Sequence, residues 1–166
     1  KIYGPRGTQK IVTALIELVY ANDIRFRVEE DQQMRHRGHQ WAEKPELIAQ
    51  VEVVEVEPGL VAEGDAWRVY TEYVRHGDFD HLPDFDWLCL GYRLETEDKV
   101  FAFSGDSVAC DGLNRLALDA DLLIQCCHFP AALRTSPAMT YFAETVVPSS
   151  GDVGKIATAA NVKKMV

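Results

Sequence analysis

The sequence predicts a domain of the α/β or α+β class, with helices covering sheets. Two stretches in the middle of the chain have the alternating pattern and turn residues of β-hairpins. The last third alternates helical and strand-like patterns, and neither a repeat nor a linker interrupts the 166 residues. A chain of this length is expected to form one domain or part of a larger one, here a single partial domain over residues 1–166.

The N-terminal third predicts a strand, a helix, a second strand and a loop. Ile2 and Tyr3 end a strand, and apolar residues at helical spacing then predict an amphipathic helix over residues 7–20. The segment IRFRVE, residues 24–29, alternates with period two and predicts a strand. Residues 31–44 lack periodicity and predict a polar loop.

The rest of the chain predicts two hairpins followed by alternating helices and strands. The hairpins turn at Gly64-Asp65 and at Glu97-Asp98, and residues 76–87 between them are irregular and dense in His and Asp. The predicted elements after the second hairpin are a short helix around Leu116, a buried strand over residues 121–127 and helices over residues 138–146 and around Ile156.

Composition argues against several classes of partner. The net charge of −9 makes a general nucleic-acid binder unfavourable, because phosphate contacts need clustered Lys and Arg. No stretch approaches the ~18 apolar residues of a membrane span. The four cysteines form no C-x-x-C pair, which favours free thiols and a cytoplasmic protein.

Because the chain lacks an initiating Met and stops as a strand begins, we expect an excerpt truncated at both ends. A homodimer is one assembly that the sequence allows.

The stretch FSGDS, residues 103–107, places an acid at the end of an apolar strand. Three interpretations stay open: a turn and helix cap, a metal ligand at Asp106, or a serine nucleophile at Ser107. His76 ends another strand-like run, and imidazole and carboxylate arriving at strand ends suit a cation such as zinc. The run G-D-S-V-A approaches a nucleophile elbow, but only His128 follows it, about one strand later.

Six segments, taken in order along the chain, resemble one known superfamily. They are YGPRGT, VRHG, LGYRLET, FAFSGDS, LALDADLLIQCCHF and VGKIATAANVKKMV. This set resembles the C-terminal part of the metallo-β-lactamase-fold hydrolases, in the branch of ribonuclease Z and the arylsulfatase-like enzymes. The resemblance implies part of a four-layer αββα sandwich with a two-metal site at one edge.

The resemblance also implies which residues hold the metals. His76 matches a metal-binding histidine, and Asp106 matches the carboxylate that bridges both ions. The implied cofactors are two divalent metal ions, zinc first, with manganese or iron as alternatives. The implied reaction is hydrolysis of a small anionic or ester substrate by a metal-bound hydroxide. That substrate is a phosphodiester, a sulfate ester or a carboxylic ester, and no catalytic residue beyond the ligands is assigned.

Departures from the family affect the expected activity. The H-x-H-x-D-H motif, which supplies most ligands, is absent, so this chain alone is expected to be inactive. Cys126 stands in the place of a glutamate and Pro148 in the place of a histidine, and this pair acts together in RNA cleavage by ribonuclease Z. Their joint loss predicts a different substrate and again makes nucleic acid unfavourable. The alternatives are a serine esterase using Ser107 and a non-catalytic binding protein of the same fold.

Four arginines form a local positive cluster in an acidic chain. Arg35 and Arg37 lie in the predicted loop, and Arg25 and Arg27 precede it on the predicted strand. The loop exceeds the usual connection of ~4–6 residues, and arginine can grip an anionic group with a two-point fork. We therefore predict that Arg35 and Arg37 bind substrate at the entrance of the site, with a merely solvated loop as the alternative.

Overall fold

The structure is a computed structural model that describes residues 1–39, 50–78 and 87–166. Within these ranges, five α-helices and two sheets form an α+β chain, which confirms the predicted class. The chain divides into two compact units, residues 1–56 and 57–166. None of the helices in the described part is long and apolar enough to cross a bilayer. The expected single partial domain over residues 1–166 stays a prediction.

The first unit combines a small parallel sheet with a long helical stretch. A π-helical turn joins the two helices, so the helix predicted over residues 7–20 is confirmed and a second helix follows it directly. The elements are β1 (Ile2–Gly4), α1 (Thr8–Ala14), the π-helical turn (Leu15–Val19), α2 (Ala21–His36) and β2 (Val53–Glu55), which pairs with β1.

Helix α2 stands where a strand over residues 24–29 and the start of a loop over residues 31–44 were predicted, so both predictions are wrong there. Charges on α2 pair at helical spacing, and side chains three or four residues apart meet on a helix. The ion pairs are Arg25–Glu29 at 2.7 Å, Arg27–Glu30 at 2.9 Å and Arg35–Asp31 at 2.6 Å. Residues 40–44 of the predicted loop lie outside the described residues.

The second unit contains a five-stranded sheet in the order β3-β4-β5-β6-β7. Neighbouring strands are antiparallel except β6 and β7, which are parallel. The strands are β3 (Gly59–Gly64), β4 (Trp67–Val74), β5 (Cys89–Thr96), β6 (Val100–Phe103) and β7 (Leu122–Ile124). The helices are α3 (Asp111–Ala117), α4 (Pro137–Thr145) and α5 (Ser150–Ala159), with a 3-10 turn at Ala131–Leu133.

These elements confirm both predicted hairpins, the short helix, the buried strand and the last two helices. Residues 79–86 of the irregular segment between the hairpins lie outside the described residues. The last helix begins with a capping box, in which the side chains of Ser149 and Asp152 each bind the other's backbone N–H group.

The core of the second unit lies between one face of its sheet and helices α3 and α5. Successive residues of a strand point to opposite faces, so every second residue of β4, β6 and β7 reaches these helices. The buried core side chains include Val74, Ala102, Leu113, Leu116, Leu123 and Ile156. The opposite face is also apolar and carries Tyr73, Phe103 and Ile124. A sheet with two apolar faces is expected between two other layers, as in the predicted sandwich.

Asp121 joins β6 to the C-terminal segment of the second unit. Its Oδ2 accepts a hydrogen bond from the Val100 N–H at 2.9 Å, and its Oδ1 accepts one from Lys163 Nζ at 2.8 Å. The Lys163 ammonium, helped by the Val100 N–H, lowers the pKa of Asp121 from 3.8 to about 2. Because the folded pKa is the lower one, the stability that Asp121 contributes is present above about pH 4 and is lost as the pH falls toward 2.

We therefore expect Asp121→Asn to weaken the dependence of the free energy of unfolding on pH between about 4 and 2. Urea denaturation at several pH values in that window measures the slope. Asp98→Asn, in the β5–β6 turn, is the control and should keep the wild-type slope. An Asp121→Asn variant with an unchanged slope would contradict the role of this carboxylate.

Candidate functional site

The residues that follow strands β4 and β6 lie at one edge of the five-stranded sheet. His76 lies two residues beyond the end of β4, and Asp106 lies three residues beyond the end of β6. An isolated antiparallel bridge joins Arg75 to Val108, whose N–H donates to the Arg75 carbonyl at 2.9 Å. Continued by two residues, this pairing would set Gly77 opposite Asp106. The fold therefore brings both predicted ligands to the same edge.

His76 is held in one orientation by a backbone contact. Its Nδ1 lies 2.8 Å from the carbonyl oxygen of Val146, at the end of α4. A carbonyl can only accept, so Nδ1 carries a proton, and in the neutral tautomer with this proton Nε2 has the lone pair that a metal needs. Histidines that bind metals are commonly oriented by such a bond from the other ring nitrogen. The next residue, Gly77, has a φ of +108° and donates its N–H to the Thr145 carbonyl at 2.7 Å, which fixes the loop to the same helix end.

Asp106 follows a tight turn and faces two thiols. Gly105 before it has a φ of +61°, which side chains other than glycine adopt at a cost. Burial raises the pKa of the Cys126 thiol, and a hydrogen bond to Asp106 and the charge of that carboxylate raise it further. Burial also raises the pKa of Cys89, a hydrogen bond from Trp87 lowers it, and the Asp106 charge raises it. Both thiols therefore stay protonated at neutral pH.

The pair His76 and Asp106 fits part of a metal site. An imidazole nitrogen and a carboxylate oxygen are ligands that zinc accepts, and both come from the ends of strands in a rigid sheet. Across residues 1–39, 50–78 and 87–166, no group of three or more His, Cys, Asp or Glu side chains is arranged to hold a metal ion. These two residues can therefore supply two ligands of a site that needs further ones.

Ser107 does not have the surroundings of a nucleophile. Its side chain is fully buried, and its hydroxyl donates to the Val108 carbonyl at 2.9 Å. A nucleophilic serine needs an exposed hydroxyl and a base within hydrogen-bonding reach. The buried Gln125, which sequence reasoning missed, instead donates to the Ser107 carbonyl at 2.8 Å and helps to hold the turn after β6. Its Oε1 has no partner among the residues that the structure describes.

The positive cluster predicted around Arg35 is balanced by acids. Arg35 lies on helix α2 and binds the buried Asp31, so its charge is already compensated. The stretch 21–37 contains four arginines and four acidic residues, which leaves no net charge. Arg37 directly follows the helix. The substrate-binding role of Arg35 and Arg37 stays a prediction, although the argument from excess charge no longer supports it.

A cleft of about 430 Å³ opens beside His76. Sequence reasoning missed two residues of its lining, Arg75 and Trp87. Arg75 lies inside the segment VRHG, and Trp87 lies three residues before the segment LGYRLET. Arg75 could have been found from the sequence, because it directly precedes the candidate ligand His76.

Sequence comparison gives relatives for about three quarters of the chain, although no family model matches it. Ribonuclease Z of Mycobacterium sp. (strain KMS) is 33% identical over 126 residues, which are 75% of this chain and 37% of that protein. Ribonuclease Z of Mycobacterium tuberculosis (strain H37Rv) is 29% identical over 123 residues, 74% of this chain and 38% of that protein. The chain thus spans well under half the length of these relatives.

Solved structures share the fold at low sequence identity. Human tRNase Z, short form, superposes with a TM-score of 0.58 and 14% identity, covering 99% of this chain and 58% of that one. The metallo-β-lactamase fold protein YhfI from Bacillus subtilis gives a TM-score of 0.51 and 19% identity, covering 69% of this chain and 41% of that one. Together with the ribonuclease Z relatives, these likenesses place the chain in the metallo-β-lactamase-fold superfamily of metal-dependent hydrolases, in its ribonuclease Z branch.

Proposed function

We propose that the whole protein is a metal-dependent phosphodiester hydrolase and that RNA belongs to its substrate class. The observation that carries the proposal is the placement of His76, with Nε2 left for a metal, on the same sheet edge as Asp106. The ribonuclease Z relatives add support for a phosphodiester over the other ester classes. A bound metal would lower the pKa of a water molecule and stabilise the charge that develops on the phosphate.

In this proposal the chain's own residues have defined roles. His76 binds metal through Nε2 while the Val146 carbonyl holds its Nδ1–H. Asp106 contributes a carboxylate whose position depends on the turn at Gly105. Zinc suits this mixed nitrogen and oxygen set, with manganese and iron as the alternatives, and a pair of ions is proposed from the family resemblance.

The exclusion of nucleic acid on the basis of net charge is wrong. The similar proteins are ribonucleases, and their similarity to this chain conflicts with that exclusion. Net charge is a property of the whole chain, whereas binding depends on the charges around the site. No observation on the described residues bears on the homodimer, which stays a prediction.

The two departures from the family affect the expected rate more than the substrate class. Pro148 is fully buried and has no titratable group, and Cys126 offers a thiol where the resemblance places a carboxylate. The family's histidine–glutamate pair is therefore not available for proton transfer, and such a pair contributes typically ~10²–10⁴-fold. We therefore propose that leaving groups which depart without a proton are cleaved fastest.

The test is a panel of substrates offered to the zinc-loaded whole protein. The panel contains bis(p-nitrophenyl) phosphate, p-nitrophenyl sulfate, p-nitrophenyl acetate and a short single-stranded RNA. We expect chelator-sensitive hydrolysis of the phosphodiester at least about tenfold faster than of the other two esters, with slower cleavage of the RNA. Faster hydrolysis of the sulfate would indicate an arylsulfatase-like enzyme. A protein that binds zinc and hydrolyses none of the four would be a non-catalytic member of the fold.

A further inference from the structure

The cleft beside His76 has the size of a ligand site and borders the candidate metal edge. Its volume of about 430 Å³ falls within the ~300–1,000 Å³ typical of small-molecule pockets. Its walls come from the end of β4, from Trp87 just before β5 and from the start of α3. A substrate group lying in this cleft would therefore lie next to His76.

The lining of the cleft contains an arginine that is not compensated by a carboxylate among the described residues. Arg75 and Arg115 line it together with one acid, Asp111, in a chain whose net charge is −9. Arg115 is engaged, since it binds Glu72 at 2.9 Å. Arg75 is exposed, and its side chain makes no hydrogen bond or ion pair with any residue in the described ranges. Its guanidinium is therefore available for an anion, and it matches the two oxygens of a phosphate.

Trp87 supplies a flat apolar surface in the same cleft. Half of its surface is exposed, and it lies close enough to Cys89 to influence the pKa of that thiol. A half-exposed indole is a platform on which a base can stack, whichever base it is.

A second cleft at the other end of the same sheet offers a comparison. Its volume is about 170 Å³, and Trp67 and Arg68 line it, so it contains the same two residue types. Arg68, however, lies 3.5 Å from a carboxylate oxygen of Glu63. Three further acids line this cleft, Asp65, Glu95 and Glu97. Of these two clefts, only the one at His76 is lined by an arginine that makes no ion pair with a carboxylate among the described residues.

We propose that the cleft at His76 binds one nucleotide unit of the substrate, with Arg75 on its phosphate and Trp87 stacked on its base. The assignment rests on the proposed function, because it names the substrate group that the same site would present to the metal edge. It adds that the substrate is recognised through a base as well as through a phosphate. Binding can be measured without turnover.

The experiment measures the binding of three probes to the whole protein by calorimetry in the presence of a chelator. Adenosine 5′-monophosphate presents base and phosphate, adenosine presents the base, and inorganic phosphate presents the anion. We expect Arg75→Gln to weaken binding of the nucleotide at least about tenfold and to leave adenosine unchanged. We expect Trp87→Leu to weaken binding of the nucleotide and of adenosine by a similar factor. The affinity for inorganic phosphate should not change.

The matched controls are Arg68→Gln and Trp67→Leu at the other end of the sheet. All four side chains are exposed, so each variant should melt near the wild-type temperature, and the two controls should bind the nucleotide as the wild type does. The inference is overturned if the nucleotide does not bind at millimolar concentration. It is also overturned if Arg68→Gln and Trp67→Leu weaken nucleotide binding as much as Arg75→Gln and Trp87→Leu do.

The two proposals fail in different ways. If the whole protein cleaves phosphodiesters but its nucleotide affinity does not depend on Arg75 and Trp87, the proposed function stands and the cleft assignment is wrong. If the protein binds the nucleotide through both residues but hydrolyses no ester, the cleft assignment stands and the proposed reaction is wrong.

Discussion

Replacing Asp106 with alanine is expected to remove most of the bound metal and to slow phosphodiester hydrolysis by the whole protein more than about 100-fold. Losing a group that only orients a metal ligand already costs ~10–100-fold, and Asp106 is proposed to be a ligand itself. His76→Ala is expected to act in the same direction, because it removes the imidazole whose Nε2 is proposed to bind metal while the Val146 carbonyl holds its Nδ1–H. Metal per protein, measured after gel filtration, and the rate on bis(p-nitrophenyl) phosphate test both variants.

Two further variants separate loss of a ligand from loss of structure. Ser107→Ala changes the residue next to Asp106 and removes a buried hydrogen bond, which should cost about 1 kcal/mol of stability and little activity. Asp98→Asn removes a carboxylate from the turn at the far end of the sheet. An Asp106→Ala variant with the wild-type metal content would contradict the ligand role. A larger loss of activity in Ser107→Ala than in Asp106→Ala would favour the serine esterase.

The hairpins of the second unit were predictable because local signals agree there. The strand residues alternate, and the turns at Asp65 and Asp98 fall where the alternation breaks. The register of the sheet then follows from the hairpins, which fixes the edge at which β4 and β6 end. This is why the placement of His76 and Asp106 after strands that end at the same edge could be predicted without coordinates, while their joint role as ligands stays a prediction.

Helix α2 was mispredicted because two local signals conflict. The alternation of Ile24, Phe26 and Val28 indicates a strand, while the spacing of the charges indicates a helix. Phe26 is more than half exposed, so burial of an alternating face does not decide the structure here. The same mistake produced the loop in which Arg35 was expected to meet substrate.

The cleft could not be predicted from sequence because it depends on how separate segments approach one another. Arg75, Trp87 and Asp111 come from three different segments, and no spacing in the sequence relates them. The backbones of α3 and β4 approach each other closely at Gly112, where any side chain would meet the backbone of Tyr73.

Gly112→Ala is expected to lower the free energy of unfolding by about 3 kcal/mol or more, at the upper end of the cost of overpacking. A Cβ at Gly112 would lie 1.9 Å from the carbonyl oxygen of Tyr73 and 3.4 Å from the Cβ of Glu72. The obstacle is the backbone of β4, which resists movement at this point because Tyr73 pairs with Leu90 of β5. Helix α3 must therefore move away from the sheet and withdraw Leu113 and Leu116 from the core.

The same substitution at Gly154 in α5 is the matched control. Apart from its chain neighbours and the backbone of its own helix, no atom of the described residues lies within 4 Å of a Cβ built there. Alanine is favoured over glycine inside a helix by up to ~1 kcal/mol. Glycine-to-alanine substitution should therefore raise the free energy of unfolding at position 154 and lower it at position 112. Urea denaturation of the whole protein measures both changes. Because Gly112 also lines the cleft, its variant should bind the nucleotide more weakly even where it remains folded. A Gly112→Ala variant as stable as the wild type would mean that α3 does not lie against β4 as described.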